Sequence, residues 1–147
     1  MIQSYTNLIS KLKDKLEALV DESESPIFHE VYDYPENNFS GYPVAVILDK
    51  GGGGQVIDTS RIERAFTFDV LLYQEQSIQG KNKEEAAAIL RSIVDRVILS
   101  FDSDPQLGGE VMRVLVANVS LDFTAAAGVH NFARFTIQLN DFTNSHE

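Results

Sequence analysis

Apolar residues step through the start of the chain at intervals of three and four: Ile2, Tyr5, Leu8, Ile9, Leu12, Leu16, Leu19 and Val20. On a helix of 3.6 residues per turn these positions share one stripe, so the pattern predicts an amphipathic helix docked on a sheet. The polar run Asp21–Ser25 and then Pro26 stop it. Beyond Pro26 the texture becomes that of strands. Ile27–Tyr34, rich in β-branched and aromatic residues, predicts a strand closed by the turn Pro35–Asn38. Tyr42–Leu48 predicts a second, with Pro43 at its start, where a missing ladder donor is tolerated. The pattern is weak between Gln55 and Arg64 and then strengthens over Ala65–Gln74. There Phe66, Phe68, Val70 and Leu72 alternate with Thr67, Asp69 and Tyr73, as in a strand with one buried face.

Helical spacing returns from Asn82 to Phe101. Asn82 can cap this helix, Glu85 stands three residues later as in a capping box, and Ala86, Leu90, Ile93, Val97 and Phe101 form its buried stripe. Asp102–Pro105 and the pair Gly108-Gly109 end it. Val111–Phe123 and Asn131–Phe142 then predict two strands joined through Ala125–Gly128 as a long antiparallel hairpin. The order is α-β-β-β-α-β-β. Few parallel crossovers are available to such an order, so an α+β fold is expected, a single antiparallel or mixed β-sheet with both helices on one face. Val114 and Val116 alternate against Val111, Leu115, Val119 and Leu121, so this strand is apolar on both faces, to be covered on the far side by a partner or by the chain's own loops. With no internal repeat and no linker, residues 1–147 read as one domain.

Composition narrows the function classes. There is no cysteine, which removes disulfides, thiolate metal sites and cysteine nucleophiles together and fits a reducing cytoplasm. Twenty-two acidic residues against 12 basic ones give a formal charge of −10, a surface that disfavours nucleic acid. Charges interrupt the apolar N-terminal positions, leaving no signal-peptide core, and no apolar run is long enough to span a membrane.

The chemical motifs fail one by one. Gly51–Gly54 is followed by Gln55-Val56-Ile57, with neither the Lys-Ser/Thr of a P-loop nor the glycine at Val56 that a dinucleotide fingerprint needs. Asn38-Phe39-Ser40-Gly41 lacks the first glycine of a nucleophile elbow. His29, His130 and His146 have no ligand spacing. Asp102-Ser103-Asp104 starts like a calcium loop, but Leu107 and Arg113 stand at its obligatory glycine and glutamate positions. Glu84 and Glu85 are explained by the dipole of the helix they open. The expectation is a chain with no catalytic, cofactor or metal site. What remains is a cationic cluster, Lys50, Arg61 and Arg64, around Gly51, Gly52, Gly53 and Gly54. It is a candidate assembly-interface loop, mobile in the free subunit because glycine-rich backbone is entropically costly to order, and ordered when it docks on an acidic neighbour.

The leading amphipathic helix, Ile27–Tyr34 running into Tyr42–Leu48, the Phe66–Tyr73 strand, the Ala-rich helix Glu85–Phe101 and the closing hairpin Val111–Phe142 together resemble the tail terminator (tail-completion) proteins of long-tailed bacteriophages. The resemblance covers nearly the whole chain in order, length and texture, and has no invariant motif. It implies a virion tail protein assembled in the host cytoplasm: a ring, commonly a hexamer, that caps the head-proximal end of the tail tube. Its partners would be its own copies, the tail tube protein and the head–tail connector, with DNA only passing through the lumen. The rival readings are another phage neck or head-completion adaptor, and a small ligand-binding or enzymatic domain with a pocket between helices and sheet.

Overall fold

A computed structural model describes residues 4–58, 60–75, 83–123 and 130–144. Helix α1 (Tyr5–Glu17) starts where Ser4 caps it, its hydroxyl accepting the amide of Asn7 at 3.2 Å. It buries Leu8, Leu12 and Leu16. Leu19 and Val20, placed on the helix by the spacing, lie beyond it, and Val20 instead bridges to Pro26. The carboxylate of Asp21 accepts the amides of Ser23 and Ser25 and turns the chain there. Short polar side chains of this kind compete with the backbone's own helical bonds.

Six strands and one more helix follow: β1 (Glu30–Tyr32), β2 (Val44–Gly51), β3 (Gly54–Val56), β4 (Arg61–Glu75), α2 (Lys83–Asp102), β5 (Arg113–Asp122) and β6 (His130–Asn144). The predicted order holds, with β3 added where the sequence pattern was weak. The predicted first strand shrinks to three residues because Ile27 and His29 spend their amides on Leu19 and Pro43, while Phe28 turns into the core. The cap Asn82, the turn Ala125–Gly128 and His146 lie outside the described residues.

The strand order is β1-β2-β4-β6-β5, with β3 alongside one end of β4. β1 runs parallel to β2 and every other pairing is antiparallel, so the sheet is mixed. Its spine is the β4–β6 pair, in register from Arg61–Asn144 to Glu75–His130. That register sets Phe66, Phe68, Val70 and Leu72 across from Leu139, Ile137, Phe135 and Ala133. Together with Ala45 and Ile47 of β2 they form one face, and both helices cover it. Leu8, Leu12 and Leu16 of α1 join Leu90, Ile93, Val94, Val97 and Phe101 of α2 in the same buried cluster. Burying a side chain of this class stabilises a fold by about 1.5–3 kcal/mol, which makes this layer the main source of stability. Among the described residues no helix is long and apolar enough to cross a membrane.

The opposite face carries the alternate residues of the same strands, and among the described residues no helix lies over it. Which side chains occupy that face decides what the molecule can bind.

Candidate functional site

The candidate loop residues are placed first by the backbone. Gly51 closes β2 at φ +86°, a left-handed conformation for which glycine is the natural occupant, where the register with β4 shifts between Asp49 and Gly51. Gly52 passes so close to β4 that a Cβ there would stand 1.9 Å from the carbonyl oxygen of Ala65. The amide of Ala65 donates to the carbonyl of Gly53 at 2.8 Å, and Gly54, Gln55 and Val56 pair with Arg64, Glu63 and Ile62. The segment is thus laid against β4 as a second hairpin arm. The glycines serve as close-approach and bulge positions as well as slack.

At the tip of this arm Asp58 accepts the amide and hydroxyl of Ser60 at 2.8 and 2.9 Å and the Arg61 guanidinium at 3.0 Å. Those hydrogen bonds, led by the Ser60 amide, hold its carboxyl down at about 2. Arg61 also lies over the ring of Phe142, 5.4 Å from its centroid. Lys50 turns instead toward Asp69, 3.6 Å away. Arg64 is exposed, packs beside Gly54 and makes no ion pair among the described residues. The three cations thus do not converge into one docking patch: Lys50 and Arg61 are paired within the subunit, and Arg64 stands apart from both pairs. Val56 and Ile57, which carry no charge to mark them in the sequence, are exposed at the arm's tip. Two adjacent β-branched residues in an otherwise polar stretch were the signal that could have found them.

The uncovered face of the sheet divides in two. At the β1–β2 side, Tyr32, Val44 and Val46 are buried under Phe39, Leu48, Leu71 and Tyr73. Rings touch in succession there, Tyr32 to Phe39 at 5.8 Å, Phe39 to Tyr73 at 5.0 Å and Tyr73 to Phe132 at 5.3 Å. Burial pushes the Tyr73 phenol above its ordinary value. This half is closed by the chain's own segment after β1.

The other half is polar. Asp69, with only 5% of its side chain exposed, receives Arg134 at 2.7 Å and the Thr136 hydroxyl at 3.1 Å, with Lys50 alongside. Glu63 receives Asn140 at 3.1 Å and Gln55 at 3.3 Å, with Arg113 at 3.8 Å. A carboxylate taken from water needs such partners, and here they tie five strands, β2 to β6, together across the sheet. Sequence reading had Asp69 only as the polar phase of β4, because the residues that match it are some 65 positions later.

β5 is the terminal strand, paired only with β6 among the described residues. A bulge between Ala117 and Ser120, with Asn118 at φ +55°, switches the alternation. Leu115 is set across from Gln138 on the uncovered face, and Leu121 across from Ala133 on the helix side. Leu115, Val119 and Leu121 are all exposed. Val114 and Val116, by contrast, pack against the helix-side core.

Two further arrangements have chemical content. His29 Nε2 lies 3.2 Å from Ser40 Oγ, so the structure brings together two residues that sequence spacing kept apart. Both sit on the open surface, and among the described residues no carboxylate bonds the imidazole's other nitrogen. A cleft of about 610 Å³ opens between α2, the end of β4 and the turn after α1, lined by Ile27, Pro43, Gln74, Ile89, Ile93 and Arg96 among others. Its guanidinium is engaged by the Val20 carbonyl at 3.1 Å and by Glu22 at 3.6 Å. Among the described residues no group of three or more His, Asp or Glu is placed to hold a metal ion.

No protein-family model matches this chain, and no curated protein sequence matches it.

Proposed function

We propose that this chain is a structural subunit that works by assembling with its own copies, and that the assembly is the ring capping the head-proximal end of a long-tailed phage tail tube. The observation that carries the assembly reading is β5. A terminal strand normally protects its open edge with charge, proline or covering chain. Here it leaves Leu115, Val119 and Leu121 in solvent, on both sides of a strand that has one partner among the described residues. Scattered exposed apolar residues are ordinary on any surface, but three along one open edge form a surface suited to contact with another chain.

The phage form of the reading rests on the α-β-β-β-α-β-β resemblance in order and length. The −10 charge supports it, since a lumen wall that repels phosphate lets DNA pass without gripping it. The partners are then the tail tube protein on one side of the ring and the head–tail connector on the other. Native mass measurement, with electron microscopy of the same sample, tests both levels. A closed ring, six-membered in the expected case, that binds the end of purified tail tubes supports the full proposal. A ring that binds connector but never tube supports a different neck protein. A monomer at every concentration tried overturns the assembly reading.

A further inference from the structure

The sheet has a second open edge, on the side away from β5. Strand β1 stands outermost there and pairs with β2 only as far as Tyr32 and Val46. β2 itself runs on to Gly51, still paired on its inner side with β4. Over residues 47–50 its outer edge therefore has no strand beside it among the described residues, about 13 Å of backbone at 3.3 Å per residue. The chain leaves the sheet after Tyr32 and reaches Pro35, which has no amide to give a ladder. The carboxylate of Glu36 then accepts the amides of Asn37 and Asn38 and turns the segment. What is left beside β2 is a groove of about 410 Å³. Ile47, of the helix-side core, and Leu48, of the cluster on the uncovered face, both line it. A groove that touches both follows the edge of the strand and not one of its faces. Asp33, Tyr34, Pro35 and Asp49 line it as well. Both carboxylates are exposed, with no ion pair among the described residues, and Tyr34 is 51% exposed. Lys50 stands at the groove too, but its ammonium turns to Asp69, 3.6 Å away.

We propose that this groove takes an extended, arginine- or lysine-bearing segment of another protein, which pairs with β2 where β1 has ended. Main-chain hydrogen bonds to an open edge hold such a segment, and the side chains beside the edge select it. Here the charges choose a cation. Between Lys15 and Lys50 the chain has no Lys or Arg, whereas Asp and Glu recur throughout. An incoming guanidinium meets two unpaired carboxylates, each able to accept it in two parallel hydrogen bonds, and a tyrosine ring on which it can lie. The same carboxylates repel an acidic segment. The cations on this chain's own strands are otherwise placed: Arg61 is held by Asp58, Arg113 by Glu63 and Arg134 by Asp69. Arg64 stands on β4, an interior strand. The segment is therefore assigned to a different protein, and its docking does not require copies of this chain to assemble.

Two acetylated, amidated pentapeptides test this, one alternating arginine with valine and the other glutamate with valine. At about 150 mM salt, where distant charges are screened, the arginine peptide is expected to bind at least about tenfold more tightly by fluorescence anisotropy. It is also expected to slow amide exchange at residues 47–50 of the full chain. Methylating the valine nitrogens removes main-chain donors and keeps the charge, and should abolish that protection. Asp33→Asn combined with Asp49→Asn is expected to weaken binding about fivefold to tenfold. Glu17→Gln combined with Asp95→Asn removes the same charge from exposed helix positions and is expected to leave binding unchanged, with circular dichroism checking that each variant is folded. Equal binding of the two peptides, equal weakening by the two double variants, or protection at β5 instead overturns the proposal. So does protection of residues 47–50 that grows with the protein's own concentration and no peptide present, because a second copy then holds the edge.

Discussion

Gly52 shows how much can hang on one missing methyl group. Its α-carbon hydrogen faces the backbone of Ala65, and a side chain there would overlap that carbonyl and crowd the Tyr5 hydroxyl, 3.1 Å away. Gly53, next in sequence, has nothing within 4 Å of the corresponding point. Two adjacent residues of the same type are thus under different constraints. Gly53→Ala is expected to be neutral or slightly stabilising, since alanine restricts the unfolded chain. Gly52→Ala must displace β-sheet backbone and is expected to destabilise the protein by about 2 kcal/mol or more. Urea unfolding midpoints at constant slope read the difference. Equal effects at the two positions would return the segment to the status of a simple tether.

Among the elements, the β3–β4 hairpin is the one whose stability is most exposed to solvent conditions. Its turn is built on the ionised Asp58, whose folded value of about 2 lies below the ordinary 3.8. For a carboxyl with a depressed folded pKa, the stabilisation is complete above the unfolded value and is lost as pH falls through the folded one. The hairpin is therefore expected to hold its closure above about pH 4 and to loosen progressively toward pH 2. Amide exchange of Gly54–Val56 and Arg61–Arg64, compared with Phe68–Leu72 in the middle of β4, checks this. Uniform loss across β4 would mean that the turn has no separate role. The Asp69 cluster is a different kind of element contact: it joins β2, β4 and β6 from a nearly buried position, and half-exposed Arg134 and Lys50 complete it from the solvent side.

At the scale of the molecule, one face of the sheet is sealed by two helices and the other is left to an aromatic cluster, a polar network and an open rim. The net charge of −10 surrounds all of it. Binding to duplex DNA is accordingly expected to be poor at about 150 mM salt, weaker than the 10⁻⁴ to 10⁻⁶ M typical of nonspecific binders. Fluorescence anisotropy with a labelled duplex measures it. Sub-micromolar affinity would contradict the view of the surface as one that nucleic acid passes without adhering.

The amino-acid sequence alone determined the two helices, the principal strands and the buried faces of β4 and β6, because side-chain periodicity is a local property. Phe66–Leu72 and Ala133–Leu139 announce their inward faces whatever strand they pair with. It also located the glycine segment and its cations. It did not assign those residues their roles, since whether a glycine is slack or a close approach depends on the strand beside it, here Ala65. Nor did it find β3, whose three exposed residues carry no periodic signal and exist as a strand only by pairing with β4. Asp69 with Arg134, and Arg61 over the ring of Phe142, are long-range juxtapositions. Tertiary structure alone decides these, because register and strand order, which no local pattern encodes, fix which polar side chains meet and which apolar ones stay in water.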